Sequence, residues 1–233
     1  IKPHVLQYLH VLKDKTVRLK LETIHGETIT ETISIKDKKD IDLIYTSDCI
    51  RERPLYLRHH DRHWYTLMDD DRILYYQNNL MIQNPIDREV LQYITEHTID
   101  IAVIDLRKNP GGMHINQKKF IKTIGELKRE RQFKIYILTG RTTFSSAILY
   151  VNDFVTHADC VLVGEPPRTG YNHFGDQRHF NLPNSKINIK YSTRFYDVSD
   201  LHSDEIIPDI FIHTRFMDYV EGIDPALTYV SAQ

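Results

Sequence analysis

The sequence predicts an α/β protein, in which helices cover a parallel sheet and a mainly β appendage lies at the N-terminal end. Two observations predict this fold class. Between residues 84 and 163, apolar residues alternate between strand spacing and helix spacing. Before residue 65, only short stretches with β-type alternation occur. We therefore divide the chain into an appendage at residues 1–65 and an α/β core at residues 66–233.

The appendage begins with a predicted β-hairpin. Val17, Leu19 and Leu21 lie on one face of an extended stretch, and Ile29, Ile33 and Ile35 return in a second one. The segment His25-Gly26-Glu27 between them is a turn signal. The stretch at residues 45–63 is too polar and irregular to assign to an element. We therefore expect β structure near the N-terminus and make no assignment for the segment that follows it.

A second hairpin is predicted close to the start of the core. Residues 64–68 and 72–76 have strand character, and they flank the acidic tip Asp69-Asp70-Asp71. Three aspartates can suggest a metal site, but neighbouring side chains of an extended chain point in different directions. We therefore interpret the tip as a solvated turn.

The rest of the core follows a β-α-β-α-β order. Residues 101–104 are all apolar and mostly β-branched, as expected of a strand buried on both faces. Further strands are predicted at residues 134–138 and 160–163. Helical spacing of apolar residues precedes or separates these strands, at residues 87–94, 120–127 and 144–157. This order favours right-handed parallel crossovers, and shorter β stretches such as residues 187–191 return later.

The composition excludes several classes of protein. The chain has 30 Lys and Arg against 32 Asp and Glu, and a net charge of −2 gives no overall attraction to nucleic acid or an anionic membrane. The apolar fraction of 41% is too high for a disordered chain. No apolar run approaches the roughly 20 residues that a membrane-spanning helix needs. We expect no nucleic-acid partner and no membrane span in this segment, and the oligomeric state stays open.

The cysteines and the first residue give little information about the compartment and the extent of the protein. Cys49 and Cys160 are too few for a disulfide framework, although they allow a single bridge. The sequence begins at Ile1 rather than Met, and no basic and then apolar signal segment follows. We expect the chain to be part of a longer protein.

Two glycines follow the first buried strand of the core, at the edge of the sheet where ligands of open α/β sheets bind. Gly111 and Gly112 allow the backbone to approach a ligand and to present N–H groups as hydrogen-bond donors. A plain tight turn would use the same two glycines. From the residues alone, both interpretations stay open.

Two serines follow the next strand, at the start of a predicted helix. Thr142 or Thr143 can cap this helix and place Ser145 and Ser146 in its first turn. A hydroxyl there lies beside the positive end of the helix, and a first-turn N–H can face a developing oxyanion. Ser and Thr are also common in first turns simply because they satisfy free N–H groups.

Together with a third loop, these segments resemble the C-terminal processing (tail-specific) protease family of serine peptidases. That family shows a D-L-R-x-N-x-G-G segment, then a helix start rich in Ser and Ala that bears the nucleophile, then V-G-E-P. The matching stretches here are residues 103–112 (VIDLRKNPGG), 143–147 (TFSSA) and 162–166 (LVGEP), and residues 207–210 (IPDI) resemble a late P-D-I strand. The resemblance covers residues 73 to 230.

The resemblance implies a fold and an activity. The fold is a ClpP/crotonase-like α/β core, and the activity is cleavage of a peptide or protein substrate through an acyl-enzyme, without a cofactor. It also implies an extracytoplasmic setting, either secreted or at the cell surface. Ser145 would be the nucleophile, the Ser146 N–H one oxyanion donor, and Gly111 or Gly112 the other. Asp105 and Arg107 would tie the loop to the sheet.

The sequence departs from the family at the general base. Members with a Ser-Lys dyad carry the lysine in G-E-P-T-F-G-K-G, whereas the matching residues 164–175 (GEPPRTGYNHFG) place Gly170 or Phe174 there. A serine hydroxyl needs a base to become a good nucleophile. His173 is the candidate because an imidazole can transfer protons near neutral pH. A loop imidazole that contacts backbone or substrate is the alternative.

Some relatives instead use a Ser-His-Glu arrangement with a histidine from the N-terminal part of the protein. That histidine would lie upstream of this chain or be one of three residues: His59, His60 or His63. For the acidic partner the resemblance implies Glu205, with Asp204 beside it, 60 residues after Ser145. A surface acid is the alternative for Glu205.

The sequence disfavours metal and nucleotide chemistry. Residues 58–63 hold three histidines and an aspartate, but adjacent side chains rarely converge on one ion, and two arginines oppose cation binding. No metal is predicted. Motifs of zinc proteases, P-loop enzymes, dinucleotide enzymes and thiol redox proteins are absent from the sequence, and Ser145 does not sit in G-x-S-x-G.

The sequence therefore predicts a serine endopeptidase-like domain with Ser145 as the nucleophile. A catalytically inactive peptide- or ligand-binding domain on the same fold is the main alternative, because the expected lysine is missing. Acyl-CoA chemistry is a third possibility, since crotonase-like enzymes also use paired N–H donors, but no residue here favours coenzyme A.

Overall fold

The computed structural model describes residues 16–23, 26–34, 50–113, 118–200 and 205–233. The chain divides into two compact units, Ile1–Cys49 and Ile50–Gln233. This division comes earlier than the boundary predicted after residue 65. The reason is that strand β3 (His63–Met68) pairs along its whole length within the central sheet of the second unit. The predictions for Cys49 and Asp204 fall outside the described residues.

The described part of the first unit is an antiparallel hairpin. Its strands are β1 (Thr16–Glu22) and β2 (Thr28–Ser34), which pair in register from Thr16 opposite Ser34. The turn is closed by hydrogen bonds from the Gly26 N–H to the Thr23 carbonyl and from the Thr23 N–H to the Glu27 carbonyl. The predicted hairpin is confirmed for these residues, while His25 and Ile35 lie outside the described part.

A central sheet organises the described part of the second unit. Its strand order is β10-β7-β6-β5-β4-β3, and all neighbours are parallel except β3, which is antiparallel to β4. The remaining strands of this sheet are β4 (Ile73–Asn78), β5 (Ile101–Asp105), β6 (Lys134–Thr139), β7 (Val161–Gly164) and β10 (Ile210–Phe211). The predicted parallel core and the β3–β4 hairpin are confirmed.

Helices cover both faces of this sheet. Alternate strand residues point to opposite faces, so Leu74 and Ile104 pack against one set of helices while Tyr75 and Val103 pack against the other. Helices α2, α3 and α4 cover the first face, and α6 with the short α1 covers the second. The described helices are α1 (Leu55–Arg58), α2 (Ile86–Glu96), α3 (Lys118–Arg131), α4 (Ser146–His157), α5 (Phe216–Glu221) and α6 (Pro225–Ser231).

A separate two-stranded hairpin follows the central parallel strands. Strands β8 (His173–Asn181) and β9 (Asn188–Tyr196) pair antiparallel and belong to their own sheet. Phe174 lies opposite Phe195, and both rings are more than half exposed. The return to β structure predicted beyond residue 175 is confirmed.

The start of α4 differs from the prediction. The sequence predicted a helix from residue 144 capped by Thr142 or Thr143, whereas the helix begins at Ser146 and Ser145 is its N-cap residue. The Thr143 hydroxyl donates to the Leu106 carbonyl at 2.9 Å and accepts from the Gly140 N–H at 3.1 Å. Thr143 therefore joins two loops of the sheet edge and is not available as a cap.

The described helices include none with the length and apolar character needed to cross a membrane.

Candidate functional site

Ser145 occupies a strained turn between β6 and α4. Its backbone angles, φ 57° and ψ −126°, are rarely adopted by a residue with a side chain. A conformation of this kind costs about 1–3 kcal/mol and is typical of functional sites, where the surrounding structure enforces it. A sharp strand-to-helix turn also presents its side chain at the sheet edge. Ser145 is half-buried, and its hydroxyl makes no side-chain cap to α4.

The glycine loop after β5 packs directly against this serine turn. Gly111 has φ +98°, and a β-carbon at this position would lie 2.8 Å from the Ser145 Cβ and 2.7 Å from the Phe144 carbonyl oxygen. Only glycine fits so close to the turn. The Phe144 N–H donates to the Asn109 carbonyl at 3.1 Å and joins the same two loops. The structure therefore brings together the glycines and the serines that the sequence singled out separately.

The hydrogen bonds of the loop decide which glycine N–H is available. Met81 and Gly112 form a parallel bridge, in which the Met81 N–H donates to the Gly111 carbonyl and the Met113 N–H donates to the Met81 carbonyl. This pattern uses neither polar backbone group of Gly112, which face away from Met81. The Gly112 carbonyl accepts from the Ser146 hydroxyl at 3.2 Å. The Gly112 N–H therefore lies on the side of the serine turn.

Gly111 has a different role in this arrangement. Its N–H donates to the Asn109 Oδ1 at 2.9 Å within the loop itself. An N–H that already has a buried partner is a poor donor to a ligand. Among the described residues, the Gly111 N–H has a partner, whereas no described group accepts from the Gly112 N–H.

Ser146 is the first residue of α4, and the first four N–H groups of a helix have no partner within the helix. The Ala147 and Ile148 N–H groups are satisfied by the carbonyls of Phe144 and Ser145, at 3.2 and 2.8 Å. The Ser146 N–H is left at the end of the helix, next to the position where a Gly111 side chain would be. The Ser146 N–H therefore lies where the glycine loop meets the serine turn.

His173 is a buried imidazole at the start of β8. Its exposed fraction is 5%, and its ring stacks on Tyr196 with 5.6 Å between ring centres. The Nδ1 atom lies 3.0 Å from the Tyr171 carbonyl oxygen. Because a carbonyl can only accept, Nδ1 carries the proton and the lone pair of a neutral ring is on Nε2. This is the tautomer that a general base requires at Nε2.

The loop between β7 and β8 passes beside the serine turn. The Arg168 N–H donates to the Thr143 carbonyl at 3.2 Å, and the Arg168 guanidinium lies 5.6 Å from the centre of the Phe144 ring. His173 follows five residues later on the same segment. No hydrogen bond joins the Ser145 hydroxyl to an imidazole within the described ranges, and Glu205 is an exposed residue next to the buried Ile206.

The upstream histidines have separate environments. His63 begins β3 opposite Asn78, and its Nε2 donates to the Leu80 carbonyl at 2.7 Å. Burial lowers the pKa of His63 below its usual value. His59 stacks on Trp64 at 4.2 Å between ring centres, and His60 is exposed. In the part of the chain that the structure describes, no three His, Cys, Asp or Glu side chains are grouped so that they could hold a metal ion.

Asp105 and Arg107 belong to an ion cluster on the second face of the sheet. The Arg107 guanidinium contacts Asp105 at 2.6 Å and Asp224 at 2.7 Å, and the Tyr75 hydroxyl donates to Asp105 at 2.5 Å. The Tyr56 ring packs on the guanidinium at 4.2 Å, and burial raises the pKa of Tyr56 to about 12. These contacts tie the end of β5 to α6, in agreement with a structural role for Asp105 and Arg107.

Three residues that organise these sites were not predicted from the sequence. Asp224 joins the ion cluster from a position 117 residues after Arg107, and no local pattern marks it. Asn78 and Asn109 are fully buried and connect the end of β4 to the glycine loop. A signal for Asn109 was present, because it lies within the D-L-R-x-N-x-G-G segment, whereas nothing in the sequence marks Asn78.

The described part of the second unit is an α/β fold, in which helices cover both faces of a mostly parallel sheet and the serine turn lies at its carboxyl edge. Two solved structures share this fold at low sequence identity. A candidate peptidase from Parabacteroides merdae is 16% identical, with a TM-score of 0.58, over 73% of this chain and 64% of that protein. A candidate S41 protease from Bacteroides fragilis is 14% identical, with a TM-score of 0.50, over 100% of this chain and 68% of that protein.

At this level of identity the likeness concerns the fold alone. The chain spans a little under two thirds of the length of the first of these two proteins. No protein-family model matches the sequence, and no curated protein matches it.

Proposed function

We propose that this chain is the main part of a serine peptidase domain of the C-terminal processing type, with Ser145 as the nucleophile. The observation that carries the proposal is the Ser145 turn, whose backbone strain is maintained by direct packing of Gly111 against it. A plain loop has no need for a non-glycine residue at φ 57° in contact with a glycine at φ +98°.

The proposed reaction begins with attack of the Ser145 Oγ on the carbonyl carbon of a peptide bond. The hydroxyl proton passes to the His173 Nε2, and the carbonyl oxygen becomes an oxyanion. This oxyanion accepts hydrogen bonds from the N–H groups of Gly112 and Ser146. The tetrahedral intermediate collapses to an acyl-enzyme as the amine leaves with the proton from the imidazolium, and water then hydrolyses the ester by the same steps.

The Tyr171 carbonyl and Glu205 complete the proposed site. The carbonyl holds the Nδ1 proton of His173, which is the orienting role that an acid fills in a catalytic triad. Glu205 is the acid that the family resemblance implies, and its negative charge would stabilise the imidazolium. The proposal requires the His173 Nε2 to come within about 3 Å of the Ser145 Oγ when substrate is bound.

A reactive-serine probe tests this proposal. A fluorophosphonate forms a covalent bond only with an activated serine, and peptide mass spectrometry identifies the labelled residue. We expect label on Ser145, none in the Ser145→Ala variant, and unchanged labelling in the control Ser192→Ala, which alters a serine of the β8–β9 hairpin. His173→Gln should reduce the labelling rate by about 10²-fold or more, as expected of a general base. Label on another serine would overturn the assignment.

One observation favours a second candidate function, an inactive peptide-binding domain on the same fold. The segment that carries the lysine base in the resembling family has no lysine here. The probe separates the two candidates. Absence of label from the full-length protein, together with retained binding of peptides, would support the binding domain.

An extracytoplasmic setting, either secreted or at the cell surface, is part of the proposal and rests on the family resemblance. Fractionation of the native host with an antibody against this domain would test it, since recovery in the cytoplasmic fraction alone would contradict the resemblance on this point.

A further inference from the structure

We propose that Asn78 and Asn109 are positioning residues that hold the glycine loop in the conformation that presents the Gly112 N–H to Ser145. This inference rests on the proposed function for its catalytic consequence, while its structural part stands on the hydrogen bonds alone. Neither asparagine would touch the substrate. Both would act through the backbone of the loop.

Asn109 uses its side chain and backbone to join three segments. Its Oδ1 accepts from the Gly111 N–H at 2.9 Å, and its Nδ2 donates to the Asn78 carbonyl and the Asn78 Oδ1, at 3.0 and 2.9 Å. Its own carbonyl accepts from the Phe144 N–H, one residue before Ser145. Asn109 therefore links the end of β4, the glycine loop and the serine turn.

The directions of these hydrogen bonds follow from the backbone groups at their ends. The Gly111 N–H can only donate, so the Asn109 atom that faces it must be the oxygen. The Asn109 NH₂ group then faces Asn78, and the facing Asn78 atom must be an acceptor. The Leu80 N–H points at the same Asn78 Oδ1, at 3.3 Å, and requires the same orientation. Two independent backbone donors thus determine how both amides lie.

This orientation leaves a polar group of Asn78 without a partner. Within the described residues, neither the buried Asn78 Nδ2 nor the buried Tyr150 hydroxyl on α4 has a partner within hydrogen-bond distance. Leaving a buried donor unsatisfied costs free energy. The orientation of Asn78 is therefore set by the loop and Leu80, and not by its own NH₂ group.

The pair and Met81 together restrain the two peptide groups that lead to the Gly112 N–H. The bond from the Gly111 N–H to Asn109 holds the peptide group between Pro110 and Gly111, and the Met81 N–H holds the Gly111 carbonyl of the next group, which carries the Gly112 N–H. Glycine backbones rotate freely without such restraints. Removing one oxyanion donor typically reduces kcat by about 10²–10³-fold, so a loop that samples other orientations should lower kcat. It should leave KM almost unchanged, because substrate contacts elsewhere are not affected.

The test uses Asn78→Ala and Asn109→Ala, with Asn79→Ala as the matched control. Asn79 is the next residue and donates to the Asp61 carbonyl, but it is outside this network. Three quantities are measured on the same chain: kcat and KM with a fluorogenic peptide that the wild type cleaves, amide hydrogen exchange at Gly111, and the melting temperature. Asn78→Ala is the decisive variant, because Asn78 bonds to Asn109 and can affect the Gly111 amide only through that residue.

We expect both variants to exchange the Gly111 amide at least about tenfold faster and to lose at least about tenfold in kcat, with KM within about threefold of wild type. The control should change neither quantity, and its loss of one hydrogen bond sets the reference for the melting temperature. If a folded Asn78→Ala protein has the same Gly111 amide exchange rate and the same kcat as the wild type, the inference is wrong. If the wild-type protein cleaves no peptide and is not labelled by the probe, the proposed function fails. The Gly111 exchange rate in the variants then still decides whether the asparagines hold the loop.

Discussion

Replacing Gly111 with alanine is the sharpest single perturbation of the candidate site. The alanine β-carbon would lie 2.7 Å from the Phe144 carbonyl oxygen, 2.8 Å from the Ser145 Cβ and 3.2 Å from the Ser146 nitrogen. Contacts under 3 Å to backbone and β-carbon atoms cannot be relieved by rotating a side chain. The serine turn or the glycine loop must therefore move.

The expected size of the effect has two parts. Gly111 has φ +98°, and placing a side chain in this left-handed region costs about 1–2 kcal/mol before any clash is counted. For a unit of this size, each kcal/mol lowers the melting temperature by about 2–4 °C, so we expect a fall of about 2–8 °C. A displacement of about 1 Å at Ser145 should reduce the rate of acylation by about 10²-fold.

Differential scanning calorimetry and the rate of fluorophosphonate labelling measure the two parts separately. Gly140→Ala is the matched control, because Gly140 lies at the same sheet edge and its added β-carbon would be 3.5 Å from the Arg107 Cγ, an ordinary contact. Its backbone is not in the left-handed region. We expect little change in either measurement for this control. If Gly111→Ala has the same melting temperature and the same labelling rate as Gly140→Ala, the proposed packing of the glycine loop on Ser145 is incorrect.

Three further predictions concern other parts of the chain. Arg107→Met should lower the free energy of unfolding by about 3–5 kcal/mol, because it leaves two buried carboxylates unpaired, whereas Arg72→Met removes an exposed pair and should change little in urea denaturation. Burial lowers the pKa of His63, so the unfolded chain takes up the proton first as pH falls below 6.5. Stability should therefore fall below that pH, and less so in His63→Asn than in the exposed control His60→Asn. Burial raises the pKa of Cys160 to about 12, so in a variant without the other cysteine its alkylation at pH 8 should be much slower in the native than in the urea-unfolded protein.

The parallel core was predictable because its signal is local. Each strand from β4 to β7 is a short apolar run with buried residues on both faces, and each helix between them has an apolar stripe at helical spacing. Such patterns depend on neighbours within about ten residues, which a sequence shows directly. The first hairpin was predictable for the same reason, from its strict alternation and its glycine turn.

The start of α4 and the start of the second unit were less predictable. A threonine before a helix usually caps it, but the Thr143 hydroxyl bonds to the Leu106 carbonyl after β5 and to the Gly140 N–H after β6. The tertiary contact outweighs the local preference, and Ser145 becomes the N-cap residue instead. The predicted boundary after residue 65 would divide β3, which pairs with β4 along its whole length, and the polar composition of residues 50–63 conceals that this segment belongs to the second unit.

The chemistry of the site was partly visible in the sequence. Ser145, Ser146 and the two glycines lie in recognisable segments, and the structure brings those segments together. Which glycine keeps a free N–H could not be read from the sequence, because the answer depends on Asn109 and on the bridge to Met81. The roles of His173 and Glu205 remain predictions.

The contact between Gly111 and the Ser145 β-carbon also limits how such a domain can diverge. A side chain at Gly111 would meet the β-carbon of whatever residue stands at position 145 and the backbone atoms on either side of it. The loop cannot move away, because Met81 and Asn109 hold it through hydrogen bonds. In a set of homologues, glycine should therefore be retained at this position even where the serine is replaced.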